Sequence, residues 1–173
     1  MKTTIIINGT GGSGKDAICE IAAKHYRVKN VSAIEGIKVA ASLIGWDGGK
    51  DAESRKFLSD LQDISTAYND FSIASMVKVY KRFMSSESDD ELLFIHIRKP
   101  ADIRRFKESC SKGVATLLVS HPNVGKLGNS ADDEVYKYKY NYGYKNTTAT
   151  LEALEDDVMQ LIDGIVSEFS VEI

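Results

Sequence analysis

Gly9-Thr10-Gly11-Gly12-Ser13-Gly14-Lys15-Asp16, entered from Thr4-Ile5-Ile6-Ile7, is the stretch from which the fold is read. Its spacing is that of the phosphate-binding pattern G-x-x-x-x-G-K-[ST], with the final hydroxyl replaced by a carboxylate. The β-branched run predicts a buried strand over about 3–8. Ala17, Ile18, Ile21, Ala22 and Tyr26, at helical spacing, predict a helix over about 15–26. In the turn between them, glycines without a Cβ let backbone N–H groups converge on one anion. The helix adds the positive end of its dipole. Lys15 then sets an ammonium against the β- and γ-phosphates of a nucleotide, so all of Gly9 to Asp16 is expected to cradle it.

Asp16 is the departure that carries information. A carboxylate about 4 Å from a polyphosphate charge repels it by roughly 4 kcal/mol at an effective dielectric near 20. A divalent cation between the two reverses the sign, and Mg²⁺ favours carboxylate and phosphate oxygens. Asp16 is accordingly read as a Mg²⁺ ligand, direct or through water. The competing account is an acid that simply suits the start of a helix.

Bulk properties narrow the rest. A chain of 173 residues suits one domain over 1–173, large enough to bury about 70% of its unfolded surface. The net charge of −3 and pI near 5.7 speak against a nucleic-acid polymer as partner, whose footprint is basic. Cys19 and Cys110 lack metal-ligand spacing and suggest reduced thiols and a cytoplasmic location. No apolar stretch approaches a membrane span, and the immediate entry into a strand leaves no room for a signal peptide.

Along the chain, strand-length apolar runs alternate with helical patterns, the signature of a parallel sheet wrapped by helices. A second strand is expected near 30–34 and a helix over 36–44, broken by Gly45-Trp46-Asp47-Gly48-Gly49. Phe57, Leu61, Ile64, Tyr68 and Phe71, continued by Ile73, Val77, Tyr80 and Met84, predict a long helical region with a core-facing stripe. Residues 85–90 read as a loop and Leu92 to Ile97 as the third strand, apolar throughout as central parallel strands are. Pro100 opens a helix over about 101–112, ended by Gly113, and Val114 to Val119 is the fourth strand. Residues 121–133 are loop-like. Tyr136, Tyr138, Tyr140, Tyr142 and Tyr144 alternate with polar residues, which puts them on one strand face if the strand persists. Packing of an edge strand and stacking of a base are both open for that face. A final helix spans about 150–169.

Phosphoryl transfer needs cations beyond Lys15, and open α/β sheets supply them beyond the carboxyl ends of strands. Arg98 follows the third strand. Lys38 and Arg55 lie between the second and third strands, each either a substrate contact or a solvated charge. Arg104 and Arg105 suit surface ion pairs, and His96 a hydrogen-bonded core position. No acid ends the third strand, and Asp102 is the nearest substitute for a second metal ligand. Lys126, between Gly125 and Gly128, is either a lid cation over the donor phosphates or an exposed lysine.

The loop ending in Ser13-Gly14-Lys15-Asp16 resembles that of P-loop nucleoside monophosphate kinases. The phage-type deoxynucleoside monophosphate kinases share its Gly-Lys-Asp ending, as do animal phosphomevalonate kinases. Ile37-Lys38, Gly45-Trp46 and Arg55-Lys56-Phe57-Leu58 look like the acceptor-binding segment of such enzymes (here about 35–85). Ile95-His96-Ile97-Arg98-Lys99-Pro100 with Asp102-Ile103 resembles their Arg-Glu-Pro motif. Asn129 to Val135, Tyr140-Asn141-Tyr142 and Asn146 resemble the closing segment, with a short lid over about 121–134. Lys99 replaces a frequent Glu, Asn141 a frequent Asp, and Lys126 is the lid's one cation. The resemblance implies an α/β P-loop fold with a five-stranded parallel sheet of order 2-3-1-4-5, ATP as donor and Mg²⁺ as cofactor. It implies transfer of the γ-phosphoryl to a nucleoside monophosphate, with Lys15, Arg55 and Arg98 in catalysis and Lys38, Arg55 and Arg98 on the acceptor phosphate. Two alternatives stand beside it: a small-metabolite kinase of the same fold acting on another small phosphate acceptor, phosphomevalonate- or shikimate-like, and an ATP-binding protein that transfers nothing.

Overall fold

The computed structural model describes residues 1–85, 87–110, 113–123, 134–147 and 150–172. Among these residues the elements run β1 (Thr3–Asn8), α1 (Lys15–Ala22), β2 (Val28–Ser32), α2 (Glu35–Leu43), α3 (Ala52–Asn69), α4 (Phe71–Phe83), β3 (Leu92–His96), α5 (Pro100–Glu108), β4 (Val114–Ser120), a 3-10 turn (Val135–Lys137), β5 (Tyr142–Lys145) and α6 (Leu151–Phe169). The strands form one five-stranded sheet of order β2-β3-β1-β4-β5, every pairing parallel. This is the order the resemblance implies.

β1 lies at the centre, and Ile5, Ile6 and Ile7 are wholly buried. Its uninterrupted apolar run follows from helices covering both faces of a parallel sheet. Ile5 and Ile7, with Leu92, Phe94, Leu117 and Val119, pack on Ile18 and Ile21 of α1 and on Val158, Ile162 and Ile165 of α6. Ile6, with Leu93 and Ile95, faces the other way, onto Ile73, Met76, Tyr80 and Phe83 of α4 and Ile103 and Phe106 of α5. Burying each such side chain is worth about 1.5–3 kcal/mol, so these two layers dominate the stability. A third, small cluster of Ile37, Ala41 and Leu58 joins α2 to α3.

A lysine completes the far end of α4. Lys2 Nζ donates to the carbonyls of Phe83 (2.5 Å), Ser85 (2.7 Å) and Ser88 (2.7 Å) and lies over the Phe83 ring. A cation here satisfies carbonyls that a helix C-terminus leaves without partners. The backbone of Lys2 also exchanges hydrogen bonds with Val171, at 2.9 and 3.0 Å. No helix among the described residues is long and apolar enough to cross a membrane.

Several elements depart from the sequence expectation. β2 covers Val28–Ser32, two residues earlier than 30–34. The Arg27 carbonyl accepts from the N–H groups of Glu91 and Leu92 and fixes that start, while the half-buried edge strand lacks an apolar run that would mark it. α1 ends at Ala22, beyond which Lys24 and His25 bond three residues back, the tightened geometry of a helix end. α5 stops at Glu108, well before Gly113.

The long helical region is two helices, because Asp70 adopts the left-handed conformation with φ 54°. Asp tolerates this better than most residues, and Arg105 Nη1 sits 3.1 Å from its carboxylate. The core-facing stripe also fails over its middle portion. Ile64 and Tyr68 are exposed, Tyr68 at 85%, because α3 packs mainly on α2 and α4 instead of on the sheet, and Phe71, the first residue of α4, is exposed as well.

The tyrosine strand is equally short. Asn141 Oδ1 accepts from the Thr116 N–H (3.0 Å) and hydroxyl (2.9 Å), occupying the site where a ladder carbonyl would sit. Backbone pairing with β4 therefore starts at Tyr142. Tyr142 and Tyr144 join the α1–α6 layer, Tyr138 and Tyr140 the α4–α5 layer, and Tyr136 is exposed.

Urea denaturation should separate the buried helical face from the exposed one. Ile162→Ala is expected to lower the unfolding free energy by about 2–5 kcal/mol, and Tyr68→Ala to stay within about 0.5 kcal/mol of the parent.

Candidate functional site

The glycine-rich loop leaves β1 at Asn8, whose buried side chain has all its polar atoms engaged. Oδ1 accepts from the Gly9 N–H (2.8 Å), and Nδ2 donates to the Arg98 carbonyl (3.0 Å) and to the Tyr140 hydroxyl (2.8 Å). That hydroxyl donates onward to the Val135 carbonyl (2.8 Å). Burial is the main cause that pushes the Tyr140 phenol up to about 12, the Asn8 bond pulling the other way. One amide thus pins the loop's first residue, the backbone after β3 and the approach to β5.

Gly9, Gly12 and Gly14 all have positive φ. At Gly9 a Cβ would stand 2.2 Å from the Val119 carbonyl oxygen, and at Gly14 2.5 Å from Asn146 Nδ2. The loop is therefore pressed against β4 and against the residue that follows β5. Lys15 Nζ lies over the loop and donates to the carbonyls of Gly9 and Thr10, each at 2.8 Å. The first intrahelical bond runs from Ile18 N–H to the Gly14 carbonyl, and no side chain caps this end of α1. The N–H groups ahead of that bond point back along the axis into the loop. Thr10 Oγ1 is buried without a hydrogen-bond partner among the described residues. Ammonium, amide N–H and hydroxyl are all donors, so the set fits a phosphate chain. Asp16 extends the site as an exposed carboxylate in the first turn of α1. No group of three His, Cys, Asp or Glu side chains gathers among the described residues. A metal here would take Asp16 together with phosphate and water oxygens, which fits the habit of Mg²⁺.

Beside the loop, beyond the carboxyl ends of β2 and β3, lies a cleft of about 250 Å³. Asp16, Asn30, Ser32, Glu35, Lys38 and His96 line it, with Val31 as its apolar contribution. His96 Nε2 is 2.8 Å from Asn30 Oδ1 and 3.9 Å from Cys19 Sγ. Burial, joined by the charges of Lys15 and Arg98, holds the imidazole below its ordinary range, with Asp16 and Glu35 opposing. It faces the cleft as a neutral ring. Burial first, then Asp16, pushes the Cys19 thiol up to about 12, so it stays a neutral thiol beside His96.

The sequence candidates distribute unevenly. Lys15 and Asp16 belong to the loop, and Lys38 reaches the cleft, with Nζ 4.0 Å from Glu35 Oε1. Arg98 is exposed just past β3, and Arg55 is exposed at the start of α3; neither lines the cleft. Asp102 is buried and its Oδ1 accepts from Arg105 Nη2, at 2.8 Å, so the expected substitute metal ligand is engaged in a structural ion pair. Lys99 pairs with Asp63. Lys126, with most of the expected lid, lies outside the described residues. Sequence reading passed over Asn8, Ser32 and Glu35 and gave Asn146 only as part of the closing-segment resemblance. Asn8, Ser32 and Asn146 stand at or just beyond the carboxyl end of a strand and Glu35 opens the next helix, a rule that could have found them, whereas Asn30, in the middle of β2, carries no such mark. Placing β2 at 30–34 hid Ser32 inside a strand.

Two measurements probe this geometry. Gly9→Ala should cost about 1–3 kcal/mol of stability through backbone strain, read as a lower urea midpoint. Ring-proton NMR of His96 should titrate below the ordinary value of about 6.5. The sign follows from the depressed folded value: the contribution of His96 to stability is complete above that ordinary value and is lost as the pH falls through the folded one.

Neither a family model nor a curated protein sequence matches the chain. Solved structures do. The tunicamycin resistance protein of Deinococcus radiodurans superposes with a TM-score of 0.57 at 13% identity, covering 94% of this chain and 96% of the other. A sugar kinase of Janibacter sp. HTCC2649 gives 0.54 at 12% identity over 94% and 95%. Shikimate kinase of Acinetobacter baumannii, solved in complex with shikimate, gives 0.52 at 11% identity over 95% and 94%. Sequence identity this low speaks for the architecture alone: the chain has the α/β fold of P-loop kinases, a parallel sheet of order 2-3-1-4-5 flanked by helices.

Proposed function

We propose that this chain is an ATP-dependent phosphotransferase whose acceptor is a small molecule. One observation carries the reading: the donor-rich loop from Gly9 to Asp16 adjoins, through Asp16 itself, a polar cleft at the carboxyl ends of β2 and β3. A donor triphosphate and an acceptor held in these two places would meet at Asp16. The backbone N–H groups of the loop bind the donor phosphates, and Lys15 exchanges its carbonyl partners for phosphate oxygens. Asp16 would hold Mg²⁺, which when bound supplies neutralisation of charge on the β- and γ-phosphates. Residues 1–173 act as one catalytic domain in this reading, in the cytoplasm.

The sequence resemblance proposes a nucleoside monophosphate as the acceptor, with Lys38, Arg55 and Arg98 on its phosphate. A small-metabolite acceptor is favoured by the composition of the cleft, to which Lys38 alone of the three contributes. With Asp16 given to the metal and Lys38 drawn to within 4.0 Å of Glu35, the lining of the cleft holds no further cation to meet a phosphate dianion. A sugar kinase and shikimate kinase are among the solved proteins of this architecture, and neither acts on a nucleotide acceptor.

Isothermal titration calorimetry of ATP with and without Mg²⁺ tests the reading. Loss of the Lys15 ammonium removes charge-assisted hydrogen bonds worth about 1.5–3 kcal/mol, so Lys15→Ala should weaken ATP binding roughly 10- to 150-fold. Asp16→Ala should weaken binding in Mg²⁺ more than binding in EDTA. Equal losses would remove the metal role, and absence of any ATP heat in the parent protein would remove the function.

A further inference from the structure

We infer that the outer face of α2, continued through Phe71 onto the end of α3, is the interface of a homodimer: a second copy of this chain packs on it about a two-fold axis. α2 has three faces. Glu35 and Lys38 turn to the cleft, and Ile37 and Ala41 are buried against Leu58 of α3. Gly36, Val39, Ala40 and Leu43 recur at the spacing of a third face, on which Val39 and Leu43 stand exposed, Leu43 at 83%. Phe71, the first residue of α4, lays its ring on that face: a Cβ at Gly36 would stand 2.4 Å from Phe71 Cε1. Ile64 and Tyr68, exposed on one side of α3, continue the apolar surface from Phe71, and Ile44 extends it past the end of α2. Beyond these six side chains, the large apolar groups exposed among the described residues are Met1 and Tyr136.

The face has the size of a dimer contact. At about 60–120 Å² for a whole aliphatic side chain and 150–250 Å² for an aromatic one, the six leave on the order of 500 Å² of apolar surface in water. A standard interface takes about 800 Å² from each partner, and about 65% of it is apolar in homodimers, which comes to the same roughly 500 Å². Symmetry favours a copy of this chain over a different protein. Near a two-fold axis each side chain meets its own counterpart, so a charge there meets like charge. Residues 39–46 and 64–69 carry none. The acids that flank the face are matched within the chain, Asp60 by Lys56, Asp63 by Lys99 and Asp70 by Arg105. They leave no surplus of either sign to select a charged partner. Shape is self-complementary as well. The ridge of Val39 and Leu43 runs beside the short, exposed Ala40, and the ridge of one copy fits the furrow of the other.

Without charged anchors, an interface of this size belongs at the micromolar end of its range. The chain should therefore be a dimer at about 200 µM and a monomer at about 1 µM, where urea titrations in dilute protein read it. Sedimentation equilibrium should approach twice the chain mass of 19.1 kDa at the higher concentration and give that mass at the lower. The ¹H–¹⁵N amide signals that move on dilution should fall within residues 39–44 and 64–71. Leu43→Asp should raise the dimer dissociation constant by about 100-fold or more, and Val39→Asp tests the same face independently. Tyr136→Asp, at an exposed site outside the face, should leave the constant unchanged. All three variants should keep the circular dichroism of the parent. A mass of 19.1 kDa at every concentration overturns the inference, as does a dimer that both α2 variants leave intact. A mass that climbs past two chains reveals an open head-to-tail contact and overturns the two-fold. A chain that stays monomeric and instead sediments with phosphatidylcholine–phosphatidylserine vesicles gives the face to a lipid surface and overturns the dimer.

Discussion

Everything in this molecule is hung on β1. Its three isoleucines are sealed on both faces, and its backbone is bonded to β3 on one side and β4 on the other. A strand so placed cannot slip by one residue without turning Ile6 into the wrong layer and Ile5 and Ile7 into the other. Its last residue is fixed as firmly as its first. Asn8 ends the strand, and Gly9 begins the loop with its α-carbon against the Val119 carbonyl of the neighbouring strand. The position of the phosphate cradle is thus a consequence of core packing, transmitted through one amide side chain and one absent methyl group.

Legibility followed contiguity. The loop was readable because its eight residues are consecutive and each obeys a local rule. β1, β3, β4 and α6 were readable because strong apolar runs or stripes announce them. What failed lacked a local mark. β2 is a half-buried edge of mixed polarity, placed by the carbonyl of Arg27 and by its partner. The α3–α4 break has no glycine or proline, only an aspartate whose unusual backbone is supported from another helix. The tyrosine alternation persists in sequence while the backbone beneath it passes from a 3-10 turn at Val135–Lys137 to a strand that begins only at Tyr142. The cleft is the extreme case. It gathers side chains from α1, β2, α2 and β3, so no window of sequence contains it.

Charge is distributed with equal economy. Arg105, Lys99 and Lys2, all within reach of the elements around β3, are occupied in holding helices and turns together. Lys15 and Lys38 are the cations placed at the loop and the cleft. His96 of the cleft lies 3.9 Å from Cys19 of the α1–α6 layer, and burial keeps both neutral.

The bridge between Lys2 and Val171 has a topological meaning. With Lys2 and Val171 exchanging backbone hydrogen bonds, the segment that leads into β1 is fastened to the segment that leaves α6, at the end of β1 away from the phosphate cradle. Fraying near residue 171 would therefore loosen the entry to the central strand and leave the cradle at its other end in place.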